Sequence, residues 1–180
     1  MQLQCDRLIA MAGELLEFSR GEAKLHLVHT DTVSLLRQFL SFNEETFRRQ
    51  GVVVDLDGEP ADIEVDTMRL LRALQNLVTN AAHAVAHRPE GRVDVRAWVA
   101  DSVLNISVRD NGPGIAAQVR KRLFEPFVTH GKTGGTGLGL AIVKNVVLAH
   151  RGTVAVETQP GQGTEFLLRL PQDAQSPAVE

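Results

Sequence analysis

Between residues 67 and 110 the hydrophobic period changes once, and that change narrows what this chain can fold into. Over 67–87 the apolar residues recur at helical spacing: Leu70, Leu71, Leu74, Leu77, Val78, Ala81, Ala82 and Val85 gather on one side of a helical wheel. From Arg92 to Ala100 and from Val103 to Asp110 the period falls to two, with Asp101-Ser102 as the turn between the strands. Elsewhere the pattern predicts strands at 24–30, 52–56, 61–65, 153–158 and 165–170. It also predicts a helix from a cap at Thr30 or Asp31 to about Gln50, ended by Gly51, and another over 138–150. Helices and strands are mixed without regular βαβ alternation. The fold class expected is therefore α+β, a two-layer sandwich with helices on one face of a mixed sheet.

The chain's 180 residues, 43% of them hydrophobic, suffice for one core and a short appendage. A net charge of −3 gives no electrostatic footprint for nucleic acid. One cysteine, Cys5, excludes a disulfide framework and a multi-cysteine metal site. No apolar run is long enough to span a bilayer, and no signal peptide is visible; a cytoplasmic location is expected, whether or not a parent protein is membrane-anchored. Residues 3–19 carry an apolar stripe at helical spacing, read either as a helix packed on its own domain or as one strand of a coiled-coil-like dimer. The segment from Gln172 onward is polar and expected to be a disordered tail.

Three features carry chemistry. On the wheel of 67–87, Asn76, Asn80, His83 and His87 line up opposite the leucines. Asparagine is a poor helix former, and a solvated face more usually carries Glu, Lys or Arg. The stripe is either plain polar surface or a row of amides and imidazoles facing a ligand, and an amide oxygen is a hard donor suited to Mg²⁺. In the second strand Leu104, Ile106 and Val108 share a phase that Asp110 continues, so its carboxylate points inward. Burying an unpaired carboxylate is costly. Either Asp110 caps the turn Asn111-Gly112-Pro113-Gly114, or it accepts hydrogen bonds from a ligand entering the core. Finally, the glycine-rich run from Gly131 to Leu140 opens directly into an apolar helix. Exposed backbone N–H groups at a helix start suit phosphate, and Lys132 adds a mobile point charge; a lid without a ligand is the plainer alternative. The run is neither a Walker A loop nor a dinucleotide fingerprint.

Together these segments resemble the histidine-kinase branch of the Bergerat-fold (GHKL) ATPases. Asn76-Leu77-Val78-Thr79-Asn80-Ala81 resembles the N box of that family, and Asp110-Asn111-Gly112-Pro113-Gly114-Ile115 the G1 box. Phe124-Glu125-Pro126-Phe127 resembles the F box, and Gly135-Thr136-Gly137-Leu138-Gly139-Leu140 the G2 box. Gly161-Gln162-Gly163-Thr164 resembles a further glycine turn, and all stand in the family's order over roughly 60–170. Residues 15–20 resemble the end of the second dimerisation helix, giving an expected division into 1–21 (helix remnant), 22–171 (ATP-binding domain) and 172–180 (tail).

The resemblance implies ATP and Mg²⁺ as cofactors and assigns roles. Asn80 is the implied Mg²⁺ ligand, with Asn76 assisting at metal and phosphates and His83 reaching the phosphates. Asp110 is the implied reader of the adenine amine, in a pocket shaped by Gly112, Gly114 and Ile115 and supported by Thr164. Gly135, Thr136, Gly137, Leu138, Gly139 and Leu140 form the implied phosphate cradle, with Lys132 beside it. Phe124 and Phe127 are implied lid anchors against the dimerisation helices. The implied partners are the dimerisation and histidine-phosphotransfer domain of the same kinase, a response regulator, and a second copy in a full-length homodimer.

Two departures stand out. None of the six histidines is followed by Glu or Asp, the usual surroundings of the phosphoacceptor, so the acceptor helix is expected before Met1. His130-Gly131-Lys132-Thr133 also differs from the threonine-lysine lid that Phe-Glu-Pro-Phe usually accompanies. Three functions remain in play: phosphoryl transfer from ATP to a histidine, ATP hydrolysis or serine phosphorylation, and non-catalytic ATP sensing. The hydrolytic and serine-kinase branches usually carry glutamate where this chain has Asn76, as a general base. Asparagine cannot take a proton, whereas a histidine acceptor needs no base from this domain, so Asn76 favours the first.

Overall fold

The structure is a computed structural model that describes residues 24–86, 88, 90–128 and 136–172. The predicted helix at 3–19 and its dimerisation role lie outside the described residues, as do His87, Lys132 and Gly135.

In chain order the elements are β1 (Val28–Asp31), α1 (Thr32–Gln50), β2 (Val53–Gly58), β3 (Asp62–Val65), α2 (Thr67–Val85), β4 (Arg92–Ala100) and β5 (Val103–Asp110). They are followed by α3 (Ala117–Arg120), α4 (Gly139–Ala149), β6 (Thr153–Gln159) and β7 (Gly163–Pro171). The main sheet has the order β2-β4-β5-β7-β6. Its β2–β4 pair is parallel and the other three pairs antiparallel. A small antiparallel sheet of β1 and β3 stands apart. Helices α1, α2 and α4 pack on the main sheet, which is the expected α+β sandwich.

Local chemistry explains most boundaries. Asp31 caps α1 by accepting from the Ser34 amide at 3.0 Å, and Gly51 ends it in the left-handed region at φ 66°. Asp66 caps α2 by accepting from the Arg69 amide at 3.1 Å. Asp101 and Ser102, at φ 51° and 57°, form the two-residue left-handed turn that suits the twist of a hairpin.

Tertiary constraint moved other boundaries. The strand expected at 24–30 begins only at Val28, because β3 offers four partners and the ladder ends at Val28↔Val65. Before it, the His26 amide turns instead to the Asp66 carboxylate at 3.0 Å. Helix α2 stops at Val85 rather than 87, since Arg88 N–H bonds back to Val85 O and the chain must turn into β4 at Arg92. The short α3 falls where only irregular chain was expected. Gln172, placed in the tail by its polarity, is held at the end of the sheet: its side-chain oxygen accepts from the Glu64 amide at 2.9 Å and its own amide donates to Ser102 O at 2.8 Å.

The core lies between helices and sheet. Leu70, Leu74, Leu77 and Val78 of α2 are fully buried against Val93, Val95, Leu104 and Ile106, at roughly 1.5–3 kcal/mol per such side chain. The outer phase of β5 is also covered, contrary to its polarity. Asn105 and Ser107 are buried, with Ser107 Oγ bonded to Glu165 and Asn105 Nδ2 to Val103 O, because Trp98 and Glu165 line the outer face beside them.

Candidate functional site

Helix α2 is the floor of the site. At one end, a Cβ placed on Gly139 would stand 3.1 Å from Asn76 Oδ1, so the start of α4 rests directly over Asn76. At the other end, a Cβ on Gly112 would stand 3.1 Å from Ala84 Cβ, so the loop after β5 rests over Ala84. The eight-residue step from Asn76 to Ala84 spans about 12 Å of helix. Asn80 lies midway, half-buried, and His83 is exposed on the same stripe. The leucine face of α2 is fully used by the core, so the asparagine stripe faces the gap between α4 and the loop.

Asp110 ends β5 beside the loop end of this gap. Only 6% of it is exposed. Its Oδ1 accepts from the Gly112 amide at 2.8 Å, so it does cap the turn. That bond does not discharge the group: burial pushes its carboxyl above the usual carboxylate value, and the Gly112 and Thr164 amides and the Arg88 charge only partly offset this. The cap alternative is seen directly, and burial outweighs the donors around the carboxyl. Thr164 faces it across the β5–β7 ladder and is itself buried.

The loop 111–115 is clasped by the β6–β7 hairpin. The Gly161 amide donates to Pro113 O at 2.8 Å, and the Ile115 amide donates to Thr158 Oγ1 at 2.8 Å. Gly114 adopts φ +75° with Gln159 O only 2.3 Å from where its Cβ would be, so no other residue fits. Sequence reasoning found Gly112, Gly114, Ile115 and Thr164 but missed Thr158. Its signal was present: a hydroxyl in the same phase as Val154 and Val156 of β6.

The other end of the gap lies at the start of α4. Leu138, buried, precedes α4 and makes no side-chain cap bond among the described residues, and first-turn amides of a helix are groups that suit an anion. The Leu138 amide donates to Thr136 Oγ1 at 3.3 Å. Gly137, at φ +73°, packs against Phe127, whose amide donates to Gly137 O at 3.0 Å. Phe124 meets Phe166 edge-on with ring centroids 6.4 Å apart, while Phe127 is 67% exposed. Asn76 Nδ2 is buried without a hydrogen-bond partner among the described residues, a costly arrangement unless a ligand supplies the acceptor.

No group of three or more His, Cys, Asp or Glu that could hold a metal occurs among the described residues. The hard oxygen donors here are the amides of Asn76 and Asn80. That set fits Mg²⁺, which keeps several waters and takes phosphate oxygens beside one or two protein ligands. No described helix is long and apolar enough to cross a membrane.

Comparison with known proteins gives the family and the fold. The family described as histidine kinase-, DNA gyrase B- and HSP90-like ATPase matches residues 65–174. The alginate biosynthesis sensor protein KinB of Pseudomonas aeruginosa is 37% identical over 177 residues, covering 93% of this chain and 29% of that protein. The signal transduction histidine-protein kinase AtoS of Escherichia coli K12 is 33% identical, covering 96% of this chain and 28% of that protein. The chain thus spans under a third of either relative. Among solved structures, full-length ShkA in complex with AMPPNP superposes with a TM-score of 0.82 at 32% identity, covering 97% of this chain and 38% of that one. The histidine kinase ThkA in complex with the response regulator TrrA gives 0.78 at 25%, covering 96% and 49%.

Proposed function

The chain belongs to the histidine kinase-, DNA gyrase B- and HSP90-like ATPase family, and from that premise we propose that it is the ATP-binding catalytic domain of a two-component sensor histidine kinase. The ATP-binding domain is assigned to 22–171, with 1–21 as the end of a dimerisation helix. The observation that carries the proposal is the asparagine stripe of α2, stretched between an uncapped helix start and a buried, under-solvated aspartate.

In this reading Asp110 accepts from the adenine amine, and Gly112, Gly114, Ile115 and Thr164 wall the base. Asn80 and Asn76 hold the nucleotide's Mg²⁺ and phosphates, with His83 within reach of the same oxygens. The cradle is the run Gly135 to Leu140, with Lys132 beside it. Mg²⁺, when bound, neutralises charge on the phosphates. The acceptor histidine nitrogen attacks the γ-phosphorus, a P–N bond forms, the bond to the β-phosphate oxygen breaks, and ADP leaves. The protein's task is positioning and charge stabilisation rather than proton abstraction, which suits Asn76 where a hydrolase would need a base.

The proposed partners follow. The acceptor is a histidine on the dimerisation domain of the same kinase, in a homodimer, and a response regulator takes the phosphoryl group onward, in the cytoplasm. ThkA was solved with such a regulator, which supports the last step by analogy. To test the proposal, the purified chain is incubated with Mg-ATP, alone and with a separate acceptor-helix domain from a histidine kinase. The chain alone should bind ATP and stay unlabelled, and the added domain should gain acid-labile phosphate. Acid-labile phosphate on the chain itself, or hydrolysis at the same rate with and without the acceptor, contradicts it.

A further inference from the structure

Thr158 is given no contact with the nucleotide itself, yet it stands at the end of a row that crosses three strands. The register aligns Asp110 of β5 with Thr164 of β7, and Thr164 with Thr158 of β6, so the three share the inner face of the sheet. Thr158 Oγ1 accepts from the Ile115 amide at 2.8 Å, donates to Gly163 O at 3.1 Å and lies 3.1 Å from Thr164 Oγ1. A threonine hydroxyl has one hydrogen and two lone pairs. If the hydrogen goes to Gly163 O, the two lone pairs are taken by the Ile115 N–H and by the Thr164 hydroxyl. All three capacities are then filled, and the Thr164 hydrogen is committed to Thr158. Thr164 can then only accept from a ligand.

We propose that Thr158 is a positioning residue for base selection: it holds the loop 111–115 through Ile115 and fixes Thr164 as an acceptor beside Asp110. This rests on the reading of Asp110 as the adenine contact. An exocyclic amine brings donors to two acceptors, whereas the carbonyl of guanine brings a third acceptor and is rejected. Thr158 therefore biases the site toward adenine from one residue further out.

Thr158→Val keeps shape and strand preference but removes all three bonds, and Thr158→Ser keeps the hydroxyl. Each is compared with wild type in ATP and GTP affinity and in melting temperature. The Val variant frees the Thr164 hydrogen to donate to a carbonyl. It should lose about 2- to 10-fold in ATP affinity and more of its ATP-over-GTP ratio, while Thr158→Ser restores both. A lowered melting temperature with an unchanged ratio would show a mere brace and overturn the inference. Asp110→Asn, run alongside, tests the adenine reading separately. If it alters the ratio and Thr158→Val does not, only the role of Thr158 falls. Should the Val variant fail to fold, wild-type amide exchange decides: ATP at saturation must protect the Ile115 amide more than GTP does, and equal protection overturns the proposal.

Discussion

Around Asp110 the protein fastens its own loop. The Gly161 and Ile115 amides, the Gly112 amide and the close seat of Gly114 against Gln159 hold the proposed base end together. About 12 Å along α2, at the proposed phosphate end, Phe127 is tied to Gly137 and Leu138 to Thr136, while among the described residues Asn76 Nδ2 is buried without a hydrogen-bond partner and Leu138 gives the start of α4 no side-chain cap. Under the proposed function the difference is a division of labour: at the base end the loop is held by the protein's own hydrogen bonds, whereas at the phosphate end the orphan Nδ2 of Asn76 would take its acceptor from the nucleotide. Each end should then fail in its own way when mutated.

The largest effect is expected at the base end. Asp110→Asn should weaken ATP binding by about 10- to 150-fold, the worth of one hydrogen bond to a charged group at roughly 1.5–3 kcal/mol, and should blunt discrimination against GTP. Its stability should move the other way. The Asp110 pKa is raised in the fold above 3.8, chiefly by burial, so the folded state holds its proton more tightly than the unfolded state does. Ionisation therefore costs stability, and that cost grows as pH rises from 3.8 through the raised value. The Asn variant, which can still accept from the Gly112 amide, escapes that cost and should melt no lower than wild type at neutral pH. Titration calorimetry with both nucleotides and thermal melts check this; a lower melting temperature with nucleotide preference intact reduces Asp110 to a cap.

A smaller effect, different in kind, is expected at the phosphate end. Asn80→Ala should bring the ratio of ATP affinities with and without Mg²⁺ toward about one, because the amide oxygen is the proposed metal ligand. Asn80 lies off the leucine face, so no core cavity opens and stability should change by about 1 kcal/mol at most, one hydrogen bond's worth. An ATP affinity gap that survives the mutation breaks the assignment, and lost GTP discrimination would erase the contrast between the ends.

The smallest effect should touch neither end but the joint between their helices. His150, at the close of α4, accepts at Nε2 from the Asp66 amide at 3.0 Å and donates from Nδ1 to Val146 O at 2.8 Å, which only the neutral ring can do. Burial is the main cause that lowers its pKa below 6.5; the Val146 carbonyl and Asp66 oppose this, and Arg69 adds to it. Below 6.5 the unfolded chain takes up a proton that the fold refuses, so this contribution is full above pH 6.5 and is lost as pH falls from 6.5 toward the folded value. Melting temperature measured from pH 7.5 downward should decline over that window in wild type and less so in His150→Gln. A matching decline in both would assign the loss to other groups.

Periodicity and short-range chemistry settled a good deal from the sequence alone. The asparagine stripe, the inward phase of Asp110, the Asp31 and Gly51 ends of α1 and the turn at Asp101-Ser102 each depend on residues within a turn or a strand pair of one another. Such signals survive in a linear reading because helix and strand fix which side chains share a face. Tertiary structure decided the rest. The length of β3 halted β1 at Val28, and the turn into β4 ended α2 at Val85. The seating of Gly112 on Ala84 and of Gly139 on Asn76 defined the cleft, and the clasp of Thr158 on Ile115 spans 43 residues. These contacts join segments whose separation no local period encodes. Burial of the α2 leucines against the sheet holds helix and sheet together, and the contacts between distant segments depend on that packing.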